Sequence, residues 1–222
     1  IVPSPIKNGE GLSGLLPWLN DVMVTEALPG IWNTIVLTQI ALVVTGILAL
    51  LAFPLISTHF GGPARRTGGH VFLVIARSTP EYILAYILLQ LWGPSMLPAI
   101  VALALHNGAI IGHLIGRQSS AVQLRPDAPT GVNRYTYELV PRLYRSFLAF
   151  LFYRWEIIMR ETAILGILGI YTLGFYVDSA IQNIQFDRAM VLIVITALLN
   201  IGVDILGRLI RRKLALQTMP TC

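Results

Sequence analysis

From Ala27 to Ala64 the chain carries no Asp, Glu, Lys or Arg, and a second such run extends from Tyr82 to Gly116. The hydrocarbon layer of a bilayer is about 30 Å thick and takes roughly 20 apolar residues of helix to cross. The first run therefore holds at least one span. The second is too long for one span and is interrupted by Gly93-Pro94, so it supplies the ends of two. A large soluble protein can bury one helix of this kind in its core. A chain of 222 residues, 55% hydrophobic and only 12% charged, cannot bury them all, and soluble domains carry about a quarter charged residues. The chain reads as an all-α integral membrane protein.

Residues 1–14 are polar and glycine-rich and read as loop. Residues 15–32 place Trp18 and Trp32 around Asp21 and Glu26, a mixture suited to an amphipathic segment at the membrane interface. Residues 1–32 are thus expected to form a periplasmic segment with an interfacial helix. Five spans follow, at about 33–57, 70–92, 97–116, 146–171 and 189–210, within a transmembrane domain of residues 33–215. Residues 216–222 form a tail. The cations gather in the loops after the first and third spans (Arg65, Arg66; Arg117, Arg125, Arg134, Arg142, Arg145) and at Arg208, Arg211, Arg212 and Lys213. Cytoplasmic loops are enriched in Lys and Arg, so the N-terminus is expected outside and the C-terminus inside. The net charge of +5 follows this topology and does not call for nucleic acid. A start at Ile1, with no basic secretory leader, leads to the expectation of a sixth span upstream.

Several chemistries are excluded. The lysines are Lys7 after Ile6 and Lys213 after Arg212, so no Gly-Lys-Ser/Thr phosphate loop exists and the chain does not hydrolyse ATP by that route. No Gly-x-Ser-x-Gly elbow or His-Glu-x-x-His zinc motif occurs. The single cysteine, Cys222, forms no intrachain disulfide. His106 and His113, seven apart on one helical face, are a weak metal pair without a third ligand; polar packing between helices or a pathway role are the readings left.

Charged residues inside spans are informative, because each costs about 2.5–3.5 kcal/mol at the bilayer centre. Arg77, Glu81, Arg154, Glu156, Arg160 and Glu161 must face protein, water or one another. Arg77 and Glu81 are four apart, as are Glu156 and Arg160, a spacing that brings side chains together on a helix. Pro80 disturbs its helix and frees a carbonyl near position 76, and broken helices at membrane depth line cavities. The second and fourth spans are therefore candidates for a translocation pathway. Structural ion pairing is the other reading.

Three stretches resemble one family. Arg77-Ser78-Thr79-Pro80-Glu81 precedes Gly93-Pro94 and Leu103-Ala104-Leu105-His106. Leu139-Val140-Pro141 leads into Tyr153-Arg154-Trp155-Glu156 and Arg160. Ile164-Leu165-Gly166-Ile167-Leu168-Gly169 is followed by Leu173-Gly174-Phe175 and a last span closing on Arg211-Arg212-Lys213. Together, over about residues 30–215, they resemble the permease subunit of phosphonate-type ABC importers, a branch of the type I importer fold. The family's Glu-Ala-Ala segment is not recognisable in the loop Asp127-Ala128-Pro129-Thr130-Gly131-Val132-Asn133-Arg134-Tyr135. The central glycines of its Val-Gly-Ala-Gly-Gly-Ile-Gly turn are replaced at Tyr171 and Thr172.

The resemblance implies a bacterial inner-membrane permease that pairs with a second, identical or different permease chain, two ABC ATPase subunits and a periplasmic substrate-binding protein. ATP and Mg would reside on the ATPases, with no cofactor in this chain. It further implies that Thr130, Gly131, Val132, Asn133, Arg134 and Tyr135, within the cytoplasmic loop of about 117–145, form a coupling helix that docks on the ATPase. Gly166, Gly169 and Gly174 would form a gate turn. The substrate would be a phosphonate, phosphite or related phosphorus oxyanion, met by Arg77, Arg154 or Arg160. Another substrate such as phosphate or an amino acid, an ion-coupled secondary transporter or channel, and a scaffold without transport remain as alternatives.

Overall fold

The computed structural model describes Ile6, residues 11–93 and residues 95–213; the expected tail, 216–222, lies outside them, as does Lys7. From Gly11 on, the described residues form eight α-helices: α1 (Gly11–Val22), α2 (Leu28–Ala52), α3 (Pro63–Ser78), α4 (Glu81–Trp92), α5 (Met96–Ala121), α6 (Val140–Leu165), α7 (Leu173–Gln182) and α8 (Phe186–Lys213). Among the described residues there is no strand. Within the described residues three helical stretches are long and apolar enough to cross a membrane, Ser13–Leu55, Met96–Ala121 and Phe186–Lys213. Counting each bent pair, α3 with α4 and α6 with α7, as one span gives five. The expected number of spans stands, but three of their outlines change.

The first change is at the start. Residues 11–14, expected as loop, are helical, and residues 15–32 are not a separate helix: Ser13–Leu55 runs on for 43 residues. Continuity through Pro29 is possible because a π-helical turn, Met23–Ala27, precedes it, and the N–H of Leu28 reaches back to the carbonyl of Met23. Proline lacks an N–H and its ring clashes with the carbonyl four residues back; the wider π turn moves that carbonyl away. The same device recurs before Pro141. A π turn at Arg134–Leu139 ends two residues before that proline, and the N–H of Val140 bonds to the carbonyl of Tyr135. The fourth span therefore begins at 134, not 146.

The third change is at Pro80. The second span is not one kinked helix. Thr79 and Pro80 are both extended, with ψ 121° and 130°, and α3 and α4 meet at 87°. A residue before proline is pushed out of the helical region, and here no π turn absorbs the strain.

The core is centred on α5, which packs against α2, α3, α4 and α6. In its most apolar window 67% is buried, against 11% for α8, so α5 is the axis and α8 the periphery. Close approach to α2 depends on a stripe of glycines, one per turn. A Cβ on Gly108 would lie 3.0 Å from Leu48 Cβ, one on Gly112 would lie 2.9 Å from Ala52 Cβ, and one on Gly116 would enter the side chain of Ile56. Without a hydrophobic drive between helices in lipid, such small-residue seams let backbones approach and gain van der Waals contact. Leu37, Ala41, Leu103, Trp155 and Ile158 fill the middle of the bundle. Phe53, Ile111, Ile115, Leu143 and Phe147 fill the end where residues 53–62 and 122–134 meet. The outer surface is apolar, with Ile193, Val194, Leu198, Ile201, Ile205 and Leu209 exposed along α8. This is the distribution expected of a multi-pass integral membrane protein.

Replacing Gly112 by Leu should overpack the α2–α5 seam and cost about 1–3 kcal/mol. Gly68 has open space around its Cα, so Gly68→Ala should be neutral or stabilising by up to about 1 kcal/mol. Unfolding temperatures in detergent provide the check; indistinguishable values for the two variants would reject the tight seam.

Candidate functional site

The helix break at Thr79-Pro80 lies against the middle of α5, and polar side chains converge there. The Nδ1–H of His106 donates to the carbonyl of Thr79 at 2.9 Å, a group left outside any helix ladder. Its Nε2 lies 3.6 Å from Glu81 Oε2. One residue on, fully buried Asn107 donates from Nδ2 to Glu161 Oε2 at 3.1 Å. Its Oδ1 accepts from Arg154 Nη1 at 3.2 Å. Asn107 thus uses both ends of its amide to hold an arginine and a carboxylate of α6 that are seven residues apart. Glu81, His106, Asn107, Arg154 and Glu161 form one cluster between α4, α5 and α6.

Of the two pairs that the spacing suggested, neither forms. Arg77 and Glu81 sit on opposite sides of the break, so four residues no longer amount to one helical turn. Arg77 Nη1 instead donates to His113 Nδ1 at 3.3 Å, and Glu81 turns to His106. Glu156, buried on α6, meets Arg211 of α8 at 2.6 Å as an ion pair whose atoms are not aligned for a hydrogen bond. A Cβ on Gly207 would lie 2.7 Å from Glu156 Oε1, so this glycine makes room for the carboxylate. Arg160 is left exposed on α6 and makes no ion pair among the described residues. It shares its face of the helix with exposed Tyr153 and Ile164.

The expected gate turn is one structural unit. Gly166 opens a short 3-10 turn, Gly166–Leu168, after α6, and Gly169 follows in the left-handed region at φ 89°. A Cβ on Gly166 would run into the backbone N of Phe175, and one on Gly174 into the carbonyl of Ala163. The helix ends are therefore in backbone contact across a 40° bend. The N–H of Leu173 donates to the hydroxyl of Thr34 on α2 at 3.0 Å, and Asn33 Nδ2 donates to the carbonyl of Tyr171 at 2.8 Å. So α2 supplies the cap for α7, and the bulkier Tyr171 and Thr172 occupy a turn braced from outside.

The expected coupling helix around Gly131 is short and continuous with α6: the chain turns at Gly131 (φ 67°), is helical from Val132, and runs through the π turn Arg134–Leu139 into α6. Thr130, Gly131, Val132 and Asn133 are exposed. Arg134 bridges the loops, donating from Nε to the carbonyl of Pro129 at 2.9 Å and from Nη1 to that of His59 at 3.0 Å. Tyr135 stacks on Phe53 with ring centres 5.2 Å apart, and its hydroxyl donates to the carbonyl of Leu50 at 3.1 Å. Nearby, buried Glu138 pairs with Arg142 at 2.5 Å and Arg125 at 3.8 Å. The loop is thus bolted to the end of α2.

Sequence reasoning missed Asn107, Glu138, Arg211 as the partner of Glu156, His70, and the bridge from Arg188 to Asp21 and Glu26 at 2.8 and 2.6 Å. An asparagine or histidine inside a charge-free run, and glycines every fourth residue, were the available signals for Asn107 and for the α2–α5 seam.

No family model matches the chain. Among curated proteins it is 27% identical over 183 residues to the phosphate-import permease protein PhnE of Mycolicibacterium smegmatis, covering 80% of this chain and 34% of that protein. It is 26% identical over 210 residues to the phosphite transport system permease protein PtxC of Stutzerimonas stutzeri, covering 90% and 72%. A putative phosphite transport system permease protein, HtxC, of the same organism is 23% identical over 142 residues, covering 61% and 50%. The chain thus spans about a third of the length of the first of these relatives. Among solved structures, an amino acid ABC transporter crystallised with histidines superposes with TM-score 0.67 at 16% identity, covering 90% of this chain and 97% of that one. The fold is that of a type I ABC importer transmembrane domain, and the resemblance to phosphonate-type ABC permeases carried by the motifs around Arg77, Arg154 and Gly166 stands.

Removing one member of the Glu156–Arg211 pair should strand the other. Glu156→Ala is expected to cost about 3 kcal/mol, and Glu156→Leu combined with Arg211→Met to recover most of that. A double-mutant cycle by denaturation in detergent measures it; additive losses would mean that the pair has no mutual stabilisation.

Proposed function

We propose that the chain is a transmembrane permease subunit of an ATP-driven ABC importer that moves a phosphorus oxyanion (phosphonate, phosphite or phosphate) by alternating access. The observation that carries this reading is Arg160. A cation exposed at mid-span, beside a cluster whose other charges have partners, needs water or a second chain in front of it. An aqueous pathway at the junction of two permease chains supplies both. A guanidinium there suits a tetrahedral oxyanion, which it binds with two parallel N–H donors. The names of the relatives, for phosphate and phosphite, point to the same ligand chemistry.

In this reading the glutamates of the cluster restrain it. Glu81 and Glu161 keep His106 and Arg154 engaged inside the bundle, so that Arg160 alone faces the passing anion and binding stays weak enough for release. The broken α3–α4 pair and the α6–α7 bend are the elements that shift as the pathway opens alternately to either side. The loop end, rich in arginine, faces the cytoplasm by the positive-inside rule. There Thr130, Gly131, Val132 and Asn133 offer an exposed edge to an ATPase, and Arg134 and Tyr135 pass its movement to α2. A second permease chain, two ATPases carrying ATP and Mg, and a periplasmic binding protein complete the machine.

Arg160→Ala is expected to abolish uptake of phosphite, phosphonate and phosphate by membrane vesicles while assembly persists, and Arg160→Lys to keep part of it. Wild-type uptake by the alanine variant would remove Arg160 from the pathway. Uptake that collapses with an uncoupler while ATP is clamped would point to an ion-coupled carrier. A second test concerns the loop. With Cys222 replaced by Ser, Asn133→Cys should cross-link to the ATPase subunit, and an assembled, active complex without that cross-link would contradict the coupling role.

A further inference from the structure

A second group of cations lies outside this cluster, at the end of the bundle where residues 56–62 connect α2 to α3. A cavity of about 520 Å³ opens there between the first turns of α3 and the last turns of α5. Ile56, Pro63, Arg66, Thr67, His70, Arg117 and Ser120 line it. No Asp or Glu is among these residues, and neither Arg66 nor Arg117 makes an ion pair among the described residues. The two hydroxyls are already engaged: Thr67 donates to the carbonyl of Pro63 at 3.0 Å, and Ser120 donates to that of Gly116 at 3.1 Å while accepting from the N–H of Thr58.

The protonation pattern of the histidine is fixed from the interior. Arginine can only donate, so the contact from Arg77 Nη1 makes His113 Nδ1 an acceptor. His113 must then carry its proton on Nε2, which lies 3.2 Å from His70 Nδ1. The Nδ1 of His70 accepts, and its own proton falls on Nε2. That N–H has no partner among the described residues, on a side chain that lines the cavity. Arg66, Arg117 and His70 therefore present hydrogen-bond donors only, two of them permanently charged, with no carboxylate in the cavity wall to neutralise them.

We infer that this cavity is a binding site for a phosphate-type oxyanion, separate from the translocation pathway. Two guanidiniums and one imidazole N–H, held on two helices across a pocket of this size, match the acceptor oxygens of a phosphomonoester or inorganic phosphate. The position at the ends of α3 and α5, level with the loops, is where a lipid headgroup lies and also where a free anion on that side arrives. Both sources share the same chemistry. Basic pockets between helices at this depth hold anionic headgroups.

The test uses the full chain extracted with whatever subunits accompany it, delipidated in detergent and studied by native mass spectrometry. Phosphatidic acid is the lipid probe, phosphatidylcholine its neutral control and inorganic phosphate the soluble probe. Phosphatidic acid or phosphate should bind the wild type. Arg66→Ala with Arg117→Ala should weaken that binding about thirtyfold, the equivalent of about 2 kcal/mol for two interfacial cations. Arg66→Lys with Arg117→Lys should keep most of it, which separates lost charge from lost fold. Arg65→Ala with Arg145→Ala removes the same charge outside the cavity and should leave binding unchanged. Displacement of the lipid by phosphate identifies a free oxyanion as the occupant, and lipid binding that phosphate does not disturb identifies a headgroup. Equal binding by the two double-alanine variants, or no binding of either probe to the wild type, would overturn the site.

Discussion

A charged side chain carried into the hydrocarbon layer costs about 2.5–3.5 kcal/mol unless something meets it, and the interior of this bundle is arranged around that requirement. Each charge has a different solution. Arg154 and Glu161 are joined through the amide of Asn107. Glu81 lies against His106, whose other nitrogen is fixed by the loose carbonyl at the helix break. Glu156 and Arg211 tie the outlying α8 to α6. Arg77 is absorbed by a pair of histidines. Every one of these contacts joins two helices, so the polar groups that are expensive alone act as the fasteners of a bundle that has little hydrophobic drive of its own.

How far the sequence revealed this depended on the range of each interaction. The number of spans was legible because a charge-free run is a property of contiguous residues. The motifs around Arg77, Arg154 and Gly166 were legible for the same reason, and the structure confirms the all-helical fold they implied. The ion pairs were not. A spacing of four gives a pair only if the helix is intact between the two residues and no partner on another helix competes. Thr79-Pro80 removes the first condition for Arg77 and Glu81, and Arg211 removes the second for Glu156 and Arg160. Neither fact can be read without the tertiary arrangement.

The prolines make the same point about local structure. Pro29 and Pro141 lie inside continuous helix, and Pro80 ends one. The difference is the π turn that precedes the first two, which opens the backbone where the ring would strike it. A π turn has no strong sequence mark, so residues 15–32 read as a separate segment and residues 134–145 as loop. Both belong to long helices. The π turns themselves carry Tyr135, which stacks on Phe53, and Glu26, which pairs with Arg188.

These features together define a mechanical route. The loop end is fixed to α2 by Arg134 and Tyr135. α2 is in near-backbone contact with α5 along Gly108, Gly112 and Gly116, and α5 carries His106 and Asn107 into the charged cluster. α2 also supplies Thr34 and Asn33 to the α6–α7 turn, where Gly166 and Gly174 leave no slack. A displacement of the loop cannot be taken up by the seam, because close-packed backbones do not compress. The helices are already broken at two places, Thr79-Pro80 and the turn around Gly169. In the proposed importer the loop end, fixed to α2, would receive the movement of the ATPase, and the break at Thr79-Pro80, beside Glu81 and His106, would be where the charged cluster yields to it.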